Sequence, residues 1–287
     1  MGFLRRLSLA AILKNKNMRK FIQTLVFIFL TFSTSAFCEK TPKLLLRYNY
    51  TLGKEYRYQK KTNSHNEHYL KTHNDEEFIS FIQIKVLDST QNGDFRLEYN
   101  LDSCVHFEVT KEPVMKSKKD LELSKVLVTY TRNGKELNRT YADGNERSFF
   151  KNSDYSENDR LFELPISFID FDKSWNTSKA EKGSYINNGW KNQNKLIGLE
   201  MNNGHNCYRI DFSGIIKNEG FQGDFRQVES GKIIGSYWID NEKLIIVAVE
   251  SEVTFNDISL VHPGAYGMKG ITLMITPPHK TTFTLIE

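Results

Sequence analysis

Two residues, Asn203-Gly204, constrain this chain more than any others. They follow Asn202 at the middle of Lys195–Gly214, KLIGLEMNNGHNCYRIDFSG, between two runs that favour strands. Asn-Gly suits the tight primed turn of a β-hairpin, because both central residues of that turn take positive φ. Beyond the turn, Tyr208, Ile210 and Phe212 alternate with Arg209, Asp211 and Ser213, which predicts one face in a core and one in water. Ile82–Leu101 repeats the form, with Asn92-Gly93 between Ile82/Ile84/Val86 and Phe95/Leu97/Tyr99. A third Asn-Gly, Asn133-Gly134, separates Val126–Thr131 from Glu136–Tyr141 and is another primed-turn candidate.

Alternation extends along the rest of the chain. Tyr48 and Tyr50 followed by Tyr56 and Tyr58 around Gly53 predict a first hairpin or bent strand. Ile234–Ile239 and Leu244–Phe255 pair around Asp240-Asn241-Glu242, and further strands begin near Ile271 and Thr281. Helical periodicity is nearly absent, and Ser153–Glu163 is the best place for a short helix. The expected class is all-β or mainly β. Antiparallel curved sheets or a half-barrel are built from two similar hairpin-containing halves, with at most one or two short helices. The boundaries are 39–163 for the first half and 164–287 for the second, packed together as one unit.

Residues 1–38 read as an address. Arg19 and Lys20 precede an uncharged run from Phe21 to Phe32, then Ser33, Thr34, Ser35 and Ala36, the layout of a secretory signal peptide. Met18 opens that signal, so residues 1–17 are an overlong start or an extended basic region. The apolar run is about 12 residues and a spanning helix needs about 20, so no permanent transmembrane anchor is expected. Cys38 follows the run as an alternative lipidation point, although Phe37 before it is large for that processing. The expected location is periplasmic, outer-envelope associated or secreted. The whole chain has formal net charge +4, from 39 basic and 35 acidic residues. The signal holds six of those basic residues and no acidic one, so 33 basic face 35 acidic residues and the remainder carries −2. A general electrostatic case for nucleic-acid binding is thereby removed.

Cys104 and Cys207 are the thiols beyond Cys38, and an exported chain could bridge them or bury them separately. No cofactor and no metal site is expected. The densest imidazole cluster, His65, His68 and His73 with Glu67, fits no familiar ligand spacing, and Asp170-Phe171-Asp172 reads as a turn more readily than as a cation site. Lys116, Lys118 and Lys119 read as a solvated run. There is no Gly-x-Ser-x-Gly elbow and no His-Glu-x-x-His pair. Aromatics carry the remaining signal. Tyr56, Tyr58, Trp175, Tyr237 and Trp238 are the candidate ligand-binding residues, since a curved sheet could offer them to an amphipathic molecule, with core filling as the plainer reading.

Several motifs occur in a fixed order: Tyr48-x-Tyr50-Thr51-Leu52-Gly53-x-x-Tyr56-x-Tyr58, Leu164-Pro165, Phe171-Asp172-Lys173-Ser174-Trp175, Leu196-Ile197-Gly198, Cys207-Tyr208-Arg209-Ile210 and Gly235-Ser236-Tyr237-Trp238-Ile239-Asp240. In this order they resemble an uncharacterised family of secreted bacterial β proteins, a domain of unknown function similar to half-barrel lipoprotein carriers. That pattern has a Gly in the turn before Trp175, where this chain has Asp172-Lys173-Ser174. The resemblance implies export and a β fold, and supplies no catalytic residues to carry over. The readings the sequence leaves, in order, are a non-enzymatic binding protein for an apolar or lipid-like small molecule, a structural or interaction module with an envelope protein partner, and an exported hydrolase.

Overall fold

The computed structural model describes residues 43–67, 73–108, 114–117, 125–141, 161–182, 186–222, 225–261, 271–273 and 279–286. The signal segment, Cys38, His68, Lys118, Lys119 and residues 153–160 of the predicted helix lie outside them. Of that helix, Leu161–Glu163 is described and is not helical.

The strands are β1 (Glu55–Glu67), β2 (His73–Ser89), β3 (Phe95–Glu108), β4 (Val114–Ser117), β5 (Val126–Tyr130), β6 (Glu136–Tyr141) and β7 (Ser174–Lys182). They continue as β8 (Ile186–Asn202), β9 (His205–Gln222), β10 (Phe225–Asp240), β11 (Ile246–Val261), β12 (Ile271–Leu273) and β13 (His279–Leu285). The fold is all-β, and no helix occurs among the described residues. Eleven antiparallel strands form one unclosed, curved sheet in the order β6-β5-β3-β2-β1-β13-β11-β10-β9-β8-β7, with β4 added to β3 and β12 to β11. The last strand lies between the first and β11, so a single sheet runs through both halves of Lys43–Glu287, which is one compact unit.

Asn203 and Gly204 have φ of 49° and 76°, the two positive values of a primed turn, and Asn202 faces His205 across it. The other two Asn-Gly turns differ. At Asn92-Gly93 and Asn133-Gly134 only the glycine has positive φ. Gly93 N donates to Thr90 O and Gly134 N to Thr131 O, while Thr90 N and Thr131 N donate to the carbonyls of Asp94 and Lys135. This is a type I turn closed by a left-handed glycine, so Asn133-Gly134 is not a primed turn. Before Trp175, Asp172 takes φ of 64°, adopting the left-handed conformation for which a glycine would be the easy choice. Asp residues tolerate it better than most.

One face of the sheet holds the core. Tyr56 and Tyr58, Ile82 to Val86, Phe95 to Leu101, Val126 to Tyr130, Ile210, Phe212, Ile233, Tyr237, Val249 and Phe283 alternate inward and form one cluster. Register shifts at Phe81/Ile82, Ser230/Gly231, Trp238/Ile239 and Leu196/Gly198 bend the strands. Two extended segments cover this inner face. Residues 43–50, whose Tyr48 and Tyr50 belong to the predicted first hairpin or bent strand, form a strap outside the named strands, bridged at Leu44 to Ile169 of the 161–171 segment. Tyr48 N donates to Arg132 O and Asn49 N to Leu244 O, so the strap ties the β5–β6 turn to the β10–β11 turn. Residues 161–171 form the second cover. Leu164 N donates to Asn133 O, and Phe162 stacks on Tyr237 with centroids 4.2 Å apart.

Candidate functional site

The five predicted aromatics divide between the two faces. Tyr56, Tyr58 and Tyr237 are fully buried in the inner core, and Trp175 packs against it half-buried. Their faces meet the chain's own side chains. Tyr50 meets Tyr56 edge-on at 5.3 Å, Phe283 stacks on Tyr58 at 4.4 Å, and the Trp175 indole N–H donates to Glu163 O at 2.9 Å. Trp238 lies on the opposite, outer face with Cys207, Val247 and Ala248. Cys104 belongs to the inner core and Cys207 to this outer cluster; both are free buried thiols, so the structure does not bring them together.

A polar network surrounds Trp238. Its indole N–H donates to Glu200 Oε1 at 2.5 Å, and the Arg209 guanidinium lies 5.9 Å from its ring. Arg209 Nε donates to Asp211 Oδ1 at 2.7 Å, as does Ser236 Oγ. One strand step away, the His205 ring N–H donates to Asp240 Oδ2 at 2.7 Å, while Asp240 Oδ1 accepts from the backbone of Glu242 at 2.9 Å and Lys243 at 2.6 Å. Burial alone would raise the Asp240 carboxyl, and these hydrogen bonds together hold it below its ordinary value. A Cys and a His two residues apart invite comparison with a thiol–imidazole pair, but the geometry forms none. The Cys207 Sγ–H points to the His205 carbonyl at 3.6 Å, and burial, with Asp240 and Glu200 nearby, pushes the thiol up to about 11. A thiol held protonated is a poor nucleophile.

Among the described residues, no three His, Cys, Asp or Glu side chains group as metal ligands, and no helix is long and apolar enough to cross a membrane. Asp172 pairs with Lys195 at 3.0 Å. The β1–β2 register sets Glu67 opposite His73 and His65 opposite Asp75, and Lys116 lies on β4.

The outer face of β7–β10 carries a groove of about 670 Å³ that the aromatic reasoning missed. Ile215 and Ile234 form its apolar floor, 61% and 53% exposed, while their neighbours Ile216 and Ile233 are 6% and 5% exposed on the inner face. Lys191 and Lys232 flank it, Asn176, Ser178, Gln193 and Ser213 complete its outer lining, and no acidic residue lines it. The sequence signal was available: in a strand, adjacent residues face opposite ways, so one isoleucine of each pair must point outward. A second groove of about 500 Å³, across β9, β10, β11 and β13, shares Ile234 and is lined by Asp211, Glu250, Glu252 and Lys280.

These features define a protein built on one open antiparallel sheet, with a filled inner face and a grooved outer one. No protein-family model and no curated protein matches the chain.

Proposed function

We propose that this chain is an exported cell-envelope protein that binds an apolar or lipid-like small molecule without transforming it, of the secreted β-protein kind its motifs resemble. The observation that carries this reading is the outer groove. Isoleucines that could have been buried or replaced by polar residues are instead left exposed in a concavity large enough for a small ligand. Tyr56, Tyr58 and Tyr237 are buried among the chain's own side chains, so the outer groove rather than these aromatics carries the proposal. The signal-like residues 1–38 support export.

The test is native mass spectrometry of the chain purified from a periplasmic preparation, followed by organic extraction. A stoichiometric extra mass that extracts as an apolar molecule is the expected result. A bare protein mass with no extracted lipid overturns the reading. A second reading, an envelope interaction module, draws on β7, which among the described residues pairs only with β8 and so presents a sheet edge. Crosslinking that captures one stoichiometric partner through Ser174–Lys182 on that bare protein would favour it.

A further inference from the structure

We infer that the outer groove is a site for an anionic amphiphile, with its charged group held between Lys191 and Lys232 and its apolar body lying on Ile215 and Ile234. The inference rests on the binding role proposed above and adds the chemical class of the ligand. It follows from register. Lys191 is paired with Ile215 and Ile215 with Lys232, so the three side chains form one cross-strand row on the outer face, with the isoleucine in the middle. Neighbouring strands are about 4.8 Å apart, which sets the two lysine Cα atoms roughly 10 Å from each other. Flexible four-carbon stems let both ammonium groups converge on one anion above Ile215.

Charge complementarity selects the occupant. Neither lysine has an ion pair with any described residue, whereas Lys195 on the same strand as Lys191, and Lys125 and Lys85 on the other arm of the sheet, are each paired with a carboxylate. The groove brings no acidic side chain to neutralise them. Ile234 lies one row further along, diagonal to Ile215, since it pairs with Ser213. The apolar surface therefore starts beneath the two charges and extends away from them. A free inorganic anion would use the lysines alone, and a neutral apolar molecule the isoleucines alone. An alkyl chain ending in a carboxylate or phosphate uses both, and the acidic lining of the adjacent groove keeps its charged end at the lysine pair.

The experiment is calorimetric titration of the full chain with dodecyl phosphate below its micelle concentration, beside inorganic phosphate and the non-ionic dodecyl maltoside. The expected result is stoichiometric binding of dodecyl phosphate that weakens as salt is raised, with inorganic phosphate bound far more weakly. The Lys191→Gln/Lys232→Gln double variant should lose about tenfold or more for dodecyl phosphate, and leave dodecyl maltoside unchanged. Both substitutions are on exposed positions, and far-UV circular dichroism verifies the fold. Equal binding of dodecyl phosphate by variant and wild type, or inorganic phosphate bound as tightly as the amphiphile, overturns the inference. Lipid recovered from the native protein but insensitive to the double variant would sink this site alone. Dodecyl phosphate bound through the lysines, with no lipid ever recovered from the native protein, would sink the wider reading and leave the site.

Discussion

Tyr48 and Tyr237 occupy one aromatic core and differ in what their hydroxyls meet. The Tyr48 hydroxyl donates to Phe162 O at 3.0 Å, joining the strap to the second cover, whereas the buried Tyr237 hydroxyl has no hydrogen-bond partner among the described residues. Removing a satisfied hydroxyl strands its acceptor, so Tyr48→Phe should lower the unfolding free energy by about 1 kcal/mol. Tyr237→Phe removes a group already unsatisfied and should leave stability unchanged or slightly raised. Urea titrations of the two variants test the contrast; equal losses would contradict it. Asp240 gives a residue-scale prediction with a pH sign. Its folded-state carboxyl is held below the ordinary aspartate value, so its contribution is fully present above that ordinary value and disappears as pH falls through the lowered one. Asp240→Ala should cost about 1–2 kcal/mol at neutral pH, as loss of a capping carboxylate does. That difference from wild type should shrink as the pH is lowered below about 4. Urea midpoints measured across acid pH decide it, and a difference that stays constant would be the contrary result.

Among the elements, the turns show how much a dipeptide can say. Asn203-Gly204, Asn92-Gly93 and Asn133-Gly134 all mark hairpins, so the existence of each was legible. The turn type was legible only at the first, because it is set by the number of residues the ladder leaves between its last pairs, and register is not local. Glycine substitutions should separate these cases. At Gly204 nothing lies within 4 Å of an added Cβ, so Gly204→Ala pays only the left-handed backbone cost of about 1–2 kcal/mol. At Gly134 the Cβ would stand 2.4 Å from Phe162 O and 2.6 Å from a Tyr48 ring carbon. Gly134→Ala should add an overpacking cost of about 1–3 kcal/mol to the backbone cost. Thermal or urea unfolding measures both, and a Gly134 effect no larger than that at Gly204 would mean that the strap is not seated against this turn. Strand length was the less legible property. β8 to β11 run for 16 to 18 residues, longer than the stretches of apolar alternation beside the Asn203-Gly204 and Asp240–Glu242 turns. Asn187–Asn194 and Asn218–Gln222 are mostly polar in sequence, with only Trp190 and Phe221 as large apolar residues, and backbone pairing continues through them without an alternating apolar pattern. Of the predicted first hairpin or bent strand, Tyr56 and Tyr58 lie on β1 while the half before Gly53 departs for the converse reason: Leu46, Tyr48 and Tyr50 alternate into the core, but the backbone bonds of this stretch reach turns rather than a neighbouring strand.

Across the whole molecule, the question is whether the sheet behaves as one object or as two arms joined at β1 and β13. The candidate site was partly readable at this scale. The aromatics were visible in sequence, but whether they met a ligand or each other depended on the covers, whose positions follow from contacts more than a hundred residues apart, such as Tyr48 to Phe162. The arms β6-β5-β3-β2 and β11-β10-β9-β8-β7 share a ladder, with Tyr58 of β1 stacked on Phe283 of β13 and donating to Ile246 O at 2.9 Å. The strap and second cover join them again, because the β5–β6 turn holds both Tyr48 and Leu164 while Phe162 lies on β10. A core with two such connections should unfold in one step. The chain's three tryptophans, Trp175, Trp190 and Trp238, all lie on β7, β8 and β10, so their fluorescence reports one arm. Leu97 is fully buried in the other arm, between Val86 and Val128, and Leu97→Ala should cost about 2–5 kcal/mol. If the sheet is one cooperative unit, that substitution shifts the tryptophan fluorescence midpoint in urea as far as the far-UV circular dichroism midpoint. A fluorescence midpoint that stays at the wild-type value while the dichroism splits into two transitions would mean that the arms fold separately, and that the strap only decorates the inner face.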